Sequence, residues 1–180
     1  ISADGNTVAI NSGIFTDSSV RILRYNGSSW EQLGSDIDGF IVSSISADGN
    51  TVLVGDNYSR VYRYDGSSWQ QLGADIVASN YTAGISADGN TVVFGGSPPR
   101  VYRYDGSSWQ ELGVDFAAGT SNFGISADGN TVAFCDSMYS RVYRYNGSNW
   151  EQLGANLEVG GYIAGISANG KTVAFGSESI

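Results

Sequence analysis

Short apolar runs alternate along the whole chain with clusters of Gly, Asp, Asn and Ser, and apolar residues do not recur at helical spacing. Residues 45–84 show the unit. Ile45-Ser-Ala47 is small and extended, Asp48-Gly49 turns the chain, and Thr51-Val-Leu-Val54 returns. After a loop comes Arg60-Val-Tyr-Arg-Tyr64, then the turn Asp65-Gly-Ser-Ser68, then Trp69-Gln-Gln-Leu72. Asp-Gly between two extended runs is a strong hairpin signal, because such turns demand positive φ. β-Branched and aromatic residues favour the pleated surface that follows. The pattern predicts four antiparallel strands per unit, here called a, b, c and d.

The unit is written four times and begun a fifth. Ile-Ser-Ala-Asp-Gly-Asn-Thr-Val starts at Ile1, Ile45, Ile85 and Ile125 and returns as Ile-Ser-Ala-Asn-Gly-Lys-Thr-Val at Ile166. The units are 1–44, 45–84, 85–124, 125–165 and a partial 166–180. A period near forty residues means one supersecondary unit per copy, each needing a neighbour to bury its apolar surface. Strand b is apolar almost throughout, as in Thr91-Val-Val-Phe94, which is how a strand covered on both faces reads. Small four-stranded sheets buried on both faces and repeated at this period are β-propeller blades. The fold class is therefore all-β: one propeller domain, five-bladed, whose fifth blade is represented only by the a–b hairpin 166–175. That hairpin leaves an edge for strands of another chain, self-association or a longer parent to complete.

Composition removes several functions. The 180 residues carry nine Lys and Arg against 18 Asp and Glu, a net charge of −9, and this disfavours nucleic acid. No apolar run approaches the length of a membrane span. There is no histidine, so the common triads and metal sites lack their usual member. One carboxylate per Asp-Gly-Asn turn (Asp4, Asp48, Asp88, Asp128) is too few for calcium. Neither metal nor cofactor is expected, and no catalytic residue stands out. Cys135 is the only cysteine, standing where other copies have Gly, and is expected to be a buried, inert thiol.

The run Ser126-Ala-Asp-Gly-Asn-Thr-Val-Ala-Phe134, followed by Arg141-Val-Tyr-Arg-Tyr-Asn-Gly147, resembles the inner hairpin and third strand of a WD-repeat blade. The Trp-Asp dipeptide and Gly-His element of that family have no counterpart. Tyr25-Asn-Gly-Ser-Ser-Trp30 and Gln32-Leu-Gly-Ser-Asp-Ile37 are similar to the tandem FG-GAP-like propeller repeats of bacterial, algal and phage surface proteins. Their calcium loops are missing here. The resemblance implies an extracellular or virion-surface setting and, by analogy with propeller lectins, a glycan ligand.

Two sets of repeated residues read as scaffold. Trp30, Trp69, Trp109 and Trp150 open strand d at one register and are expected to cap the gaps between blades. Each buries about 150–250 Å², worth at most about 4–6 kcal/mol. All eight arginines lie in or at the start of strand c, among them Arg63, Arg103 and Arg144. They are expected to rest on aromatic rings and to pair with the recurring Asp36, Asp75 and Asp115, with weaker charge pairing where Asn156 replaces that Asp.

In an up-and-down blade the a–b and c–d turns leave at one end, the b–c and d–a loops at the other. The first set barely changes between copies, and the second differs in every one. The variable end carries Phe15, Phe40, Tyr58, Tyr81, Phe123, Tyr139 and Tyr162. Loops on a rigid scaffold are where binding is commonly built, and Tyr-rich loops suit recognition. The expected function is a non-enzymatic recognition module. Phe40, Tyr58, Tyr81, Phe123, Tyr139 and Tyr162 would contact a glycan or protein. A purely structural spacer propeller with no ligand is the alternative.

Overall fold

A computed structural model describes residues 1–12, 18–39, 41–55, 58–78, 82–113, 116 and 122–176. Every element among them is a strand. The first sheet contains β1 (Thr7–Ser12), β2 (Ser19–Tyr25) and β3 (Trp30–Gln32), with β4 (Ile37–Asp38) pairing the start of β2. The second is β5 (Ile41–Ile45), β6 (Thr51–Gly55), β7 (Ser59–Tyr64) and β8 (Trp69–Gln71). The third is β9 (Ala83–Ile85), β10 (Thr91–Phe94), β11 (Arg100–Tyr104) and β12 (Trp109–Glu111). The fourth is β13 (Asn122–Ile125), β14 (Thr131–Cys135), β15 (Ser140–Tyr145) and β16 (Trp150–Gln152). A two-stranded sheet, β17 (Tyr162–Ile166) and β18 (Val173–Gly176), begins a fifth.

All pairings are antiparallel, and all but that of β4 with β2 join sequence neighbours, as the turn chemistry predicts. The b–c register is constant across blades: Thr51 faces Arg63, Thr91 faces Arg103 and Thr131 faces Arg144. The first blade differs from the sequence expectation. Its strand a is reduced to Ile1–Ala3 with no sheet pairing, and the fourth strand of its sheet is β4.

The core lies between blades. Val20, Ile22 and Ile37 of blade one meet Val52 and Val54 of blade two. Leu53, Val61 and Ile76 meet Ile85, Val92, Phe94 and Tyr102 of blade three. Val93, Val101 and Phe116 meet Val132, Phe134 and Tyr143 of blade four. Strand b contributes to both of its interfaces, and β6, β10 and β14 are buried along their whole length. This explains why their sequences do not alternate.

Polar groups stitch each interface at fixed positions. The Ala3 N–H donates to the Ala47 carbonyl at 2.9 Å, and Ala47 to Ala87, Ala87 to Ala127 and Ala127 to Ala168 at 3.0 Å each. The indole Nε1–H of Trp69 donates to the Leu33 carbonyl and that of Trp109 to Leu72, both at 2.7 Å, and Trp150 reaches Leu112 at 2.8 Å. The Trp cap is thus a hydrogen bond as well as a packing contact. Trp30 is 46% exposed, and its indole has no such carbonyl partner among the described residues.

Candidate functional site: the variable loop face

Backbone bonds bring the b–c and d–a loops of each blade together. The Ser59 N–H donates to Ile76 O at 3.0 Å and the Ile76 N–H returns to Ser59 O at 2.8 Å. Ser140 and Leu157 repeat this at 3.0 and 2.9 Å. Gly95 N–H donates to Thr82 O, and Gly161 N–H to Asp136 O. The Val42 N–H donates to the Asn11 amide oxygen at 2.8 Å. The non-repeating segments therefore share one end of the sheets, held in place by main-chain contacts.

The residues proposed from sequence divide on this face. Tyr58 and Tyr162 are 44% and 51% exposed. Tyr139 is half-buried under the Arg141 guanidinium, 5.4 Å from its ring centroid. Phe123 also packs between blades. It lies inside β13, packs into the interface of blades three and four, and closes on Gly84 of β9 so tightly that a Cβ there would meet its ring at 2.8 Å. Phe123 is half-buried, with the Gly84 side of its ring used in packing. Phe15, Phe40 and Tyr81 lie outside the described residues.

Sequence reasoning missed the aliphatic members of this face. Val77 is 73% exposed and Met138 64%, the largest apolar exposures on these loops, and Ile41 and Val159 are also exposed. A cleft of about 280 Å³ opens beside Val77, lined by Ala78, Phe94, Gly95, Pro98 and Arg100. The signal available was that Val77 stands where other copies have Asp38, Ala117 and Glu158, and that Met138 lies in a b–c loop whose sequence is not repeated.

The opposite end is polar and repetitive. In the four Asp-Gly-Asn turns a Ser hydroxyl, the Asn N–H and the Asn side chain converge on the Asp, as on Asp88 from Ser86 and Asn90. Burial pushes the Asp88 carboxyl up, but these hydrogen bonds outweigh it and hold it below its ordinary value; Asp48 and Asp128 behave alike. The carboxylate is consumed by its own turn. Among the described residues no group of three His, Cys, Asp or Glu is placed to hold a metal.

The two arginines of strand c have different partners. Arg63, Arg103 and their counterpart Arg24 cross to the next blade: Arg103 Nη2 donates to Gly129 O at 3.0 Å and Asn130 Oδ1 at 2.9 Å, while Nε binds Thr91. Arg144 keeps only a 3.4 Å contact to Thr131, and Lys171 stands where the next turn otherwise has Asn. Of the clefts beside these residues, the one of about 480 Å³ is lined by Arg63 and Arg103, which hold blades together, and the one of about 500 Å³ by Arg103 with Arg144 and Lys171. The first arginine of the strand takes the Asp: Arg21 binds Asp36 at 2.7 Å and Arg60 binds Asp75 at 3.1 Å. Arg100 sits 3.6 Å from Glu111, and Asp115 lies outside the described residues.

The weaker charge pairing expected at Asn156 is not observed. Arg141 still binds the Asn156 amide oxygen at 3.1 Å, and its Nη1 forms a 2.8 Å ion pair with Asp136 of the b–c loop. Arg141 is buried, so an unpaired guanidinium would be costly, and the neighbouring loop supplies the carboxylate. Cys135 is buried as expected and accepts a 3.0 Å contact from the Ser140 hydroxyl.

No family model matches this chain, and no curated protein matches it. Solved structures do. TolB from Acinetobacter baumannii superposes with a TM-score of 0.56 at 18% identity, over 96% of this chain and 46% of that one. A functionally unknown protein from Desulfotomaculum acetoxidans gives 0.65 at 14% identity, over 96% and 60%. Hydrazine synthase of Kuenenia stuttgartiensis gives 0.54 at 16% identity, over 91% and 49%. The fold is a β-propeller. The chain spans about half the length of the structures it resembles, and their names differ: TolB, a hydrazine synthase and a protein of unknown function.

Proposed function

We propose that this chain is a non-enzymatic recognition module and that its variable loop face binds a protein surface. The observation that carries this reading is the exposure of Val77 and Met138 beside Tyr58 and Tyr162, on loops held by main-chain hydrogen bonds. Apolar aliphatic side chains give up little in water and gain by burial against another apolar surface. Sugars stack on aromatic faces and hydrogen-bond to polar groups, and exposed Val and Met offer neither. Likeness of the repeat to propeller repeats of surface proteins supports a recognition role. The absence of histidine and the burial of Cys135 leave no activated nucleophile to favour catalysis.

The test is selection from a displayed random-peptide library, run beside a glycan array. The expected result is a set of related peptides whose binding drops at least about tenfold with either Val77→Asp or Met138→Asp. Peptides indifferent to both changes would refute the reading. Signals confined to the glycan array would replace it with a lectin.

A further inference from the structure

At the end of the molecule opposite the variable loops, one cleft is built twice. The cleft of about 480 Å³ centred on blade three and that of about 500 Å³ centred on blade four are lined at the same ten repeat positions. Seven of those positions carry the same residue type in both. The other three differ, and every difference moves charge in one direction: Asp105 is answered by Asn146, Asp128 by Asn169 and Asn130 by Lys171. The first cleft sets two arginines against three carboxylates. The second sets two arginines and the only lysine of the chain against one carboxylate, Asp128. A lining that is net negative in one copy is net positive in the next, on a molecule whose net charge is −9.

The added cations are not spent on the scaffold. Arg24, Arg63 and Arg103 each donate Nη2 to the Asn side chain of the following turn, at 2.9, 3.0 and 2.9 Å. Lys171 stands at that place and offers no acceptor. Arg144 keeps its 3.4 Å bond from Nε to Thr131, and both cationic side chains are exposed. Asn169 preserves its turn without a carboxylate. Its Oδ1 accepts from the Ser167 hydroxyl at 2.9 Å and from the Lys171 N–H at 3.1 Å, which leaves its Nδ2 group as a donor. Asp128 is taken up by Ser126 and Asn130, and Glu151, bound to the Asn146 amide, does not line the cleft. The sister cleft takes only the turn residues Asp128 and Asn130 from its following blade, so the second cleft has every lining position of the first.

We propose that the cleft lined by Arg144, Asn169 and Lys171 binds a tetrahedral dianion, a phosphate group either free or carried on a small molecule. The guanidinium fork of Arg144 takes two oxygens of such a group, and the Lys171 ammonium meets another as a point charge. The Asn169 amide adds a neutral donor. Two cations in one cleft that no salt bridge neutralises repel each other, and a dianion between them removes that cost. The sister cleft, with its three carboxylates, repels the same ligand, so one blade is singled out by charge on a shared scaffold. The site is independent of the loop-face reading, because it lies at the other end of the sheets.

The experiment is titration of the isotope-labelled whole chain with inorganic phosphate at about pH 8, where the ligand is doubly charged. Amide NMR shifts are read at an ionic strength held constant with chloride. The expected result is one-to-one saturation by about 10 mM, with the largest shifts at Arg144, Asn169 and Lys171 and none comparable at Asp105 of the sister cleft. Lys171→Asn and Asn169→Asp each install the residue that the other turns carry, so both chains should fold as the wild type does. Each should weaken phosphate binding at least about fivefold, one by removing a cation and the other by returning a carboxylate. Methyl phosphate separates the two sources of the ligand: binding as tight as that of phosphate or tighter assigns an esterified group, and weaker binding assigns the free ion. Shifts that do not saturate, equal shifts in the sister cleft, or affinity unchanged by both substitutions would overturn the proposal.

Discussion

Trp109 and Trp30 hold the same position in two copies of one repeat and differ in whether a described blade covers them. Trp109 donates its indole N–H to Leu72 and packs in the core cluster, while Trp30 keeps only its partner Tyr25, 5.6 Å between centroids, and faces water. Trp109→Ala should cost about 3–5 kcal/mol, combining lost burial with a residual cavity. Trp30→Ala should cost about 1 kcal/mol or less. Urea denaturation measures both, and equal losses would refute the role of the interface. Tyr143 makes the opposite case. Its hydroxyl is enclosed edge-on to Phe116 and has no hydrogen-bond partner among the described residues. The counterpart Tyr102 hydroxyl accepts from Arg100 at 3.3 Å, but Arg141, at the equivalent place, is drawn away by Asp136 and Asn156. A buried hydroxyl without a partner costs about 1–3 kcal/mol, so Tyr143→Phe should raise stability by about 1 kcal/mol. A loss of stability on that change would show that the hydroxyl has a partner.

Hairpins decided most of the fold, and the turns were legible because their chemistry is local. Asp-Gly-Asn and Asp-Gly-Ser-Ser specify where the chain reverses without reference to anything distant. What a local reading missed is which turns also touch a neighbour. Gly89 has φ 71° and a Cβ there would lie 2.6 Å from Thr51 Oγ1 of the preceding blade, whereas Gly106 has φ 103° and open space around it. Gly106→Ala should cost about 1–2 kcal/mol for the left-handed backbone alone. Gly89→Ala should exceed it by at least about 1 kcal/mol, because Thr51 cannot give way; equal melting temperatures would contradict the tight approach. The c–d turns contribute to the acid response. The Asp65 carboxylate receives the Ser68 and Ser67 backbone N–H groups and is held at about 2, and Asp105 is held lower still by the same pair. An unfolded Asp titrates near about 3.9. Their contribution is therefore complete above that value and is lost as pH falls from about 4 towards 2. Asn26 and Asn146 make the same two backbone bonds without a charge. Changing Asp65 and Asp105 to Asn should keep the fold at pH 7 and move the acid-unfolding midpoint to lower pH, and an unmoved midpoint would deny these carboxylates that role. The second arginine of strand c was legible as scaffold but not in its partner, since Arg103 reaches a backbone carbonyl 26 residues away.

Across the whole molecule the sequence announced the repeat, the strand order and the separation of an invariant end from a variable one, because each is a matter of periodicity. It did not announce the fate of aperiodic residues. Val77 and Met138 were passed over in favour of loop aromatics, one of which, Phe123, is packing against Gly84. Exposure depends on neighbouring blades, and a repeat read one copy at a time does not contain them. The same dependence governs how the molecule should open. Stability in a stacked array is a sum of unit and nearest-neighbour terms, so units with fewer neighbours open first. Strands β6, β10 and β14 have covered faces and are buried throughout. Strand β1 turns Ile10 to its other side, where it is exposed, while Ala9 packs against the core shared with blade two, and β18 belongs to a two-stranded sheet. Native-state hydrogen exchange should therefore find the slowest amides in β10 and β14, faster exchange in β1, and the fastest strand amides in β17 and β18. The gradient should persist in low denaturant, where local openings still precede global unfolding. If amides from β1 to β18 instead exchanged with one common free energy, the blades would form a single cooperative unit. The interfaces would then be coupled over more than nearest neighbours, and the additive picture drawn from three separate inter-blade cores would fail.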